Sequence, residues 1–299
     1  MAPLLLLRYG ELTLKSPPVR REFERTLRHN VLEQFAASSL SCRLRNDPGH
    51  LYVEVDDAAA AQRVLGRVFG ITSMSEVVEC TSDRSDITVT ALRLLDPLLR
   101  SGTTFAVRAR RTGQHSFTSQ QLAADLGGDI LERFADRGIS VDLEHPDVEL
   151  AVEVRDNRAY LSTGRSPGPG GLPLGVAGRV AALVDGPRGG LGAYLLMKRG
   201  CRCALLPVGD GGPTIGEVLR RFDPKAVVGA TAPDLAEGEV RLAALAEESR
   251  ADAVVLPLDV DRYPEARSRW GDRVVFSPTV GLTDEEVEAR WLAIAARAA

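Results

Sequence analysis

Between Val180 and Gly200 an apolar run, Val180 to Val184, passes through the turn Asp185-Gly186-Pro187-Arg188-Gly189-Gly190 toward Ala193 to Arg199, which reads as a helix. An apolar run of this length fits a strand covered on both faces, and a glycine-rich turn opening into a helix fits the first unit of a parallel α/β sheet. That order is also how such sheets cradle phosphate, because the turn amides and the helix N-terminus point at the anion. The chemistry of this turn departs from that use. Asp185 stands where a neutral donor is expected, Pro187 offers no amide, and the turn holds no Ser or Thr. A carboxylate at the mouth repels a polyphosphate by about 1 kcal/mol or more at contact distance. Arg188 has two readings, a substitute phosphate ligand or a structural partner of Asp185.

The rest of the chain places this unit last of three. Leu4 to Leu7 reads as a buried strand, residues 19 to 36 as a helix, Leu51 to Val55 as a half-buried strand, residues 58 to 68 as a helix, and 71 to 78 as extended. This β-α-β-α-β order predicts a small ferredoxin-like α+β unit. A helix over 87 to 99, a strand through Phe105, Val107 and Ala109, a helix from Ser119 to Phe134 and three extended segments at 141 to 143, 148 to 154 and 159 to 162 follow. Ser166 to Pro173 is too rich in Gly and Pro for the interior of an element. Beyond it strands and helices alternate to Ala298, and Thr283 with Glu286 forms a capping-box signature for the last helix. The expected division is 1–77, 78–165, a linker over 166–176, and 177–299.

At 299 residues, 44% hydrophobic and 26% charged, the composition is that of a globular protein of more than one domain. No apolar run approaches the roughly 20 residues that span a bilayer, so no membrane partner and a cytoplasmic location are expected. The cysteines, Cys42, Cys80, Cys201 and Cys203, show no metal spacing, and no metal site is expected. Cys201 and Cys203 lie two apart on an apolar strand and are expected to face one side, buried. A net charge of −4 gives no global attraction to nucleic acid. Locally, Thr103 to Leu122 carries Arg108, Arg110 and Arg111 without an acid, and Arg8 to Asn30 holds six basic residues against three acidic ones. With Gln114 and His115, the first run leads into the amides that open the Ser119 helix, which Thr118 or Ser119 caps, a geometry suited to phosphate or an RNA 3′ end. Arg20, Arg21 and Lys15 extend the basic set, although Glu22 and Glu24 offer Arg20, Arg21, Arg25 and Arg28 helical partners. Gly209-Asp210-Gly211-Gly212 reads as a plain turn, with a ligand loop as the alternative.

Four stretches carry a family resemblance: Arg8 to Lys15, Val107 to Ser119, Gly168 to Gly175, and Ala193 to Gly200. Together they resemble the tRNA 4-thiouridine synthetases, also called tRNA sulfurtransferases. The resemblance implies a ferredoxin-like N-terminal domain, an RNA-binding THUMP domain, and a doubly wound parallel-sheet ATP-pyrophosphatase domain of the PP-loop type. It implies that the first two domains hold the acceptor end of tRNA, and that the third adenylates a uridine so that sulfur displaces AMP. The family's loop reads Ser-Gly-Gly-x-Asp-Ser; here Asp185 to Gly190 replace it, without either serine or the aspartate. The expectation is therefore a tRNA-binding protein of tRNA modification with a degenerate nucleotide loop, no catalytic residue, no resident cofactor and a separate catalytic partner. The alternative is an active sulfurtransferase using ATP with Mg; a homodimer is left open.

Overall fold

The structure, a computed structural model, describes residues 3–10, 16–47 and 50–299. Lys15, Glu11 and the rest of the Arg8 to Lys15 stretch beyond Gly10 lie outside the described residues.

Two successive α+β units share one nine-stranded sheet. The first comprises β1 (Leu4–Arg8), α1 (Pro17–Ala37), β2 (Arg43–Asp47), β3 (His50–Glu54), α2 (Ala58–Leu65) and β4 (Ser73–Thr81). The second comprises α3 (Arg84–Leu95), β5 (Thr104–Thr112), α4 (Ser119–Arg133), β6 (Ser140–Val141), β7 (Val148–Arg155) and β8 (Arg158–Ser162). The strand order is β2-β3-β1-β4-β8-β7-β5-β6, with a short β9 (Ser166–Pro167) also paired to β4. The join is β4 itself: residues 73–77 pair with β1, and residues 78–81 pair with β8. Leu5 and Leu7 face α1 and α2 in one core with Leu27, Val31 and Phe35. Leu150 and Val152 face α3 and α4 with Ile87, Leu126 and Ile130 in another. The helices therefore cover one face of the sheet in both units, and the other face is left to side chains.

The expected ferredoxin-like order lacked β2. Its sequence, Arg43-Leu44-Arg45-Asn46-Asp47, carries one apolar residue and gives no alternation to read; antiparallel pairing with β3 makes it a strand. The Gly/Pro-rich segment after β8 is no slack connector. The Gly168 amide donates to Thr72 O (3.0 Å) and the Gly170 amide to Ile71 O (2.8 Å). At Gly171, φ is +76° and a Cβ would lie 2.1 Å from Lys198 O, so only glycine fits this crossing.

The last unit is a parallel sheet in the order β11-β10-β12-β13, built from β10 (Arg179–Val184), β11 (Arg202–Pro207), β12 (Ala253–Val255) and β13 (Val274–Phe276). Val228 and Ala232 add single parallel bridges beyond β11. Helices α5 (Pro187–Lys198), α6 (Gly212–Arg220) and α9 (Asp284–Ala298) pack on one face. Helices α7 (Leu235–Glu248) and α8 (Tyr263–Arg269) pack on the other, the second of these being unforeseen. This is the doubly wound arrangement expected. The Thr283–Glu286 capping box opens α9 as expected.

The first and last units meet through a shared core. Phe69 is 1% exposed and stands 5.2 Å from the Tyr194 ring and 5.7 Å from the Phe222 ring. Around it, Asn30 Nδ2 donates to Leu174 O, and Gln34 Nε2 to the carbonyls of Arg221 and Phe222. Arg202 bridges Glu33 of α1 (2.9 Å) and Asp223 (2.6 Å). Among the described residues no helix is long and apolar enough to cross a membrane.

Candidate nucleic-acid interface and glycine-rich loop

A cleft of about 560 Å³ runs from the first turn of α4, past the C-terminal half of β5, onto the uncovered sheet face. Alternation along β5 sends Arg108 and Arg110 to that face, while Phe105 is buried among the helices. Of the residues expected to bind RNA, Arg108, Arg110 and Ser119 line the cleft. Arg20, Arg21, Arg111, Gln114, His115 and Thr118 do not line it.

Arg110 is exposed and makes no hydrogen bond or ion pair with the described residues. Arg108 donates to Leu143 O and pairs with Glu149 at 3.3 Å. The run that is acid-free in sequence is therefore not acid-free in space. Parallel pairing with β7 puts Glu149 beside Arg108 and sets Glu153 opposite Arg110 in register. Cross-strand neighbours of this kind are invisible to a linear count of charge.

Arg8, Glu153, Arg165 and Gln120 are among the polar residues of the cleft that went unassigned in the sequence. Arg8, at the end of β1, reaches across the shared sheet to Glu153, with Nε 3.0 Å from Oε1, and donates from Nη1 to Ser75 Oγ at 3.0 Å. Glu153 also faces His50 and Arg155. Burial pushes its carboxyl up, but the charges of Arg8, His50 and Arg155 and the Arg8 hydrogen bond outweigh this and hold it below the usual range. Arg165 closes the cleft's far side, with Nε on Ser73 Oγ at 2.9 Å, and Gln120 stands on the first turn of α4. Arg8 was legible, since it opens one of the family-like stretches; Arg165, at the edge of a Gly/Pro run, was not.

The neighbouring expected residues have local partners. Thr118 accepts from the Gln121 amide (3.1 Å) while Gln121 Oε1 accepts from the Thr118 amide (2.8 Å), so the hydroxyl expected to bind RNA serves as the helix cap. The amides of Ser119 and Gln120 are left without a carbonyl of their own helix. His115 stacks on Phe117 at 5.5 Å, and Arg111 donates to Gly113 O. Arg20 pairs with Glu24 at 2.8 Å, the structural alternative foreseen for it.

The glycine-rich loop is the N-terminus of α5. Asp185 is half-buried, and burial raises its pKa against the backbone amides of Asp185 and Gly189 and the charges of Arg262 and Arg188. Its Oδ1 is buried without a hydrogen-bond partner. Arg188 does not form the expected ion pair with Asp185. It donates instead to Thr279 O (2.8 Å) and Leu282 O (2.9 Å) and pairs with Asp284 at 2.7 Å, fastening α5 to the start of α9. The glycines answer to packing: a Cβ on Gly190 would lie 2.7 Å from Ile215 and Trp291, and one on Gly189 2.6 Å from Leu183 O. In the Gly209 to Gly212 turn, Gly212 opens α6 where a Cβ would meet Val184 O at 2.7 Å, which favours the plain-turn reading. Cys201 and Cys203 share one buried core, as expected, and burial raises both thiols.

An acid whose folded pKa is raised costs stability wherever it must be charged. The cost is absent below the unfolded value near 3.8 and grows as pH rises toward the folded pKa. Asp185→Asn is therefore expected to raise the thermal midpoint at neutral pH and to leave it unchanged below pH 3.8. Scanning calorimetry at the two pH values measures this; an equal shift at both removes the electrostatic explanation.

Residues 82–163 match the THUMP domain family, and residues 4–75 match the ThiI ferredoxin-like domain. A probable tRNA sulfurtransferase of Methanothermobacter thermautotrophicus is 37% identical over 223 residues, covering 72% of this chain and 54% of that protein. The tRNA sulfurtransferase of Pyrobaculum aerophilum is 37% identical over 211 residues, 70% of this chain and 42% of that protein. The chain belongs to the tRNA 4-thiouridine synthetase family. It spans about half the length of these curated relatives. Among solved structures, PH1313 of Pyrococcus horikoshii superposes with a TM-score of 0.83 at 25% identity, covering 98% of this chain and 99% of that one. A 4-thiouridine synthetase in complex with RNA and ATP superposes at 0.81 and 21% identity, covering 98% and 85%, a likeness of fold.

Proposed function

We propose that the protein binds the acceptor end of tRNA through the arginine cleft and serves tRNA modification without adenylating RNA itself. In this reading residues 1–77 and 78–165 hold the RNA, and 177–299 keep the PP-loop fold behind the strap over 166–176. The observation that carries it is the contrast between two cationic groups. Arg110 is exposed and unpaired among the described residues, over a cleft that also carries Arg8, Arg108 and Arg165. Arg188, the cation of the glycine-rich turn, is bonded to two carbonyls and an acid. The turn does not suit a polyphosphate. Asp185 Oδ1 lacks a partner where a neutral donor is wanted, Pro187 offers no amide, and the glycines are accounted for by helix packing. In this reading the turn takes no part in a nucleotide step, and the burial of Cys201 and Cys203 supports the same view of sulfur transfer.

The relatives' activity sustains a second reading, an ATP-dependent sulfurtransferase with a variant loop. The deciding experiment incubates the purified protein with tRNA and ATP and follows AMP and pyrophosphate, while filter binding reports the RNA complex in the same sample. Binding without AMP is the expected result. AMP formation that requires tRNA and is lost on Asp185→Ala substitution establishes the sulfurtransferase reading instead.

A further inference from the structure

A second basic cleft, of about 700 Å³, opens where the C-terminal end of α1 in the first unit faces α6 and the end of α9 in the last. At its wall stands Arg67, only 8% exposed. Its Nη1 donates to Ala298 O at 3.3 Å, but its Nε is buried with no hydrogen-bond partner. The charged groups that act on Arg67 are Arg221 and Arg63, both cations, and with burial they lower its pKa. Arg220 and Arg221 line the same cleft, and neither guanidinium forms an ion pair with the described residues. Glu217, also in the lining, forms no ion pair with any of them.

This arrangement is electrostatically incomplete. Arginine does not shed its proton in proteins, so burial among like charges cannot be relieved by neutralisation, as it is for lysine or histidine. A buried cation without a counter-charge is among the costlier features a fold can carry. The guanidinium of Arg67, those of Arg220 and Arg221, and the hydroxyl-bearing residues Ser38 and Thr214 in the lining are the kinds of donor a tetrahedral oxyanion takes. We propose that this cleft is a phosphate-binding site, with Arg67 as its buried anchor and Arg220 and Arg221 as its arms. Its chemistry suits a phosphate of an RNA backbone or of a small phosphorylated molecule. The site stands apart from the sheet-face cleft and does not depend on RNA binding there.

The Nε–Hε resonance of Arg67, assigned by comparison with Arg67→Met, reports the site directly. Titration of the full chain with inorganic phosphate is expected to move that resonance to saturation. Arg221→Gln, a change at an exposed position, is expected to weaken the phosphate titration about tenfold, the worth of one charge-assisted hydrogen bond. A resonance that stays fixed under excess phosphate overturns the proposal, as does an unchanged titration in Arg221→Gln. The source of the phosphate follows from adding acceptor-stem RNA or pyrophosphate to the phosphate-saturated protein and observing which one displaces the bound ion. Because the primary titration contains no RNA, its failure is distinct from failure of the tRNA-binding reading.

Discussion

Replacing Arg108, Arg110 and Arg111 together by Ala is expected to lower affinity for tRNA by about 100-fold at low salt and to flatten its salt dependence by two to three counterions, at about 0.7 to 0.9 per phosphate contact. The three will not share the loss equally. Arg108 is held by Glu149 and Leu143 O, and Arg111 by Gly113 O, so part of each charge is already engaged. Arg110 has no such partner among the described residues, and the single change at this position is expected to carry the largest share. All three side chains are exposed, so the fold should survive the substitution. Equilibrium binding measured over a salt series, with thermal unfolding as the control, checks both statements. A stable triple variant with unaltered affinity and slope ends the assignment of this cleft to RNA.

The largest expected effect on stability is at Phe69. Truncation to Ala removes a ring that is 1% exposed from a cluster containing Tyr194 and Phe222, and large-to-small changes of this kind cost about 3–5 kcal/mol. Phe69 belongs in sequence to the first unit and in packing to the core of the last. Its loss should therefore do more than lower the midpoint. The ion pairs of Arg202 with Glu33 and Asp223 remain, but they lose the apolar contact that keeps water from between them. Unfolding is expected to separate into two transitions, the parallel-sheet unit leaving independently of the nine-stranded sheet. Calorimetry together with near-ultraviolet circular dichroism distinguishes this from a simple shift of one transition, which would place the coupling elsewhere.

What could be read from the chain was what local pattern dictates. The apolar strands, their alternation with helices, the Thr283–Glu286 box and the shared burial of Cys201 and Cys203 are near-neighbour properties, and the structure carries them. The unread parts depend on pairing. β2 is a strand only because β3 lies beside it, and its lone Leu44 gives no period. Helix α8 is short, with Pro264 in its first turn and charges along its length, and nothing in that composition separates it from a loop. Glu149 and Glu153 enter the arginine cleft from a strand some forty residues away. The glycines of the Asp185 to Gly190 turn were read for their amides, whereas the structure accounts for Gly189 and Gly190 by the close approach of Leu183, Ile215 and Trp291.

One strand, β4, belongs to both halves of the nine-stranded sheet, pairing with β1 over its first part and β8 over its second. The strand runs unbroken from one ladder into the other, and Arg8 is bonded to Glu153 across the seam. The spacing between the two α+β units is thus fixed when the chain folds and not when a ligand arrives. An RNA laid across them meets a gauge of set length: it is accepted or refused by its own dimensions, and whatever bending the fit demands must be borne by the nucleic acid.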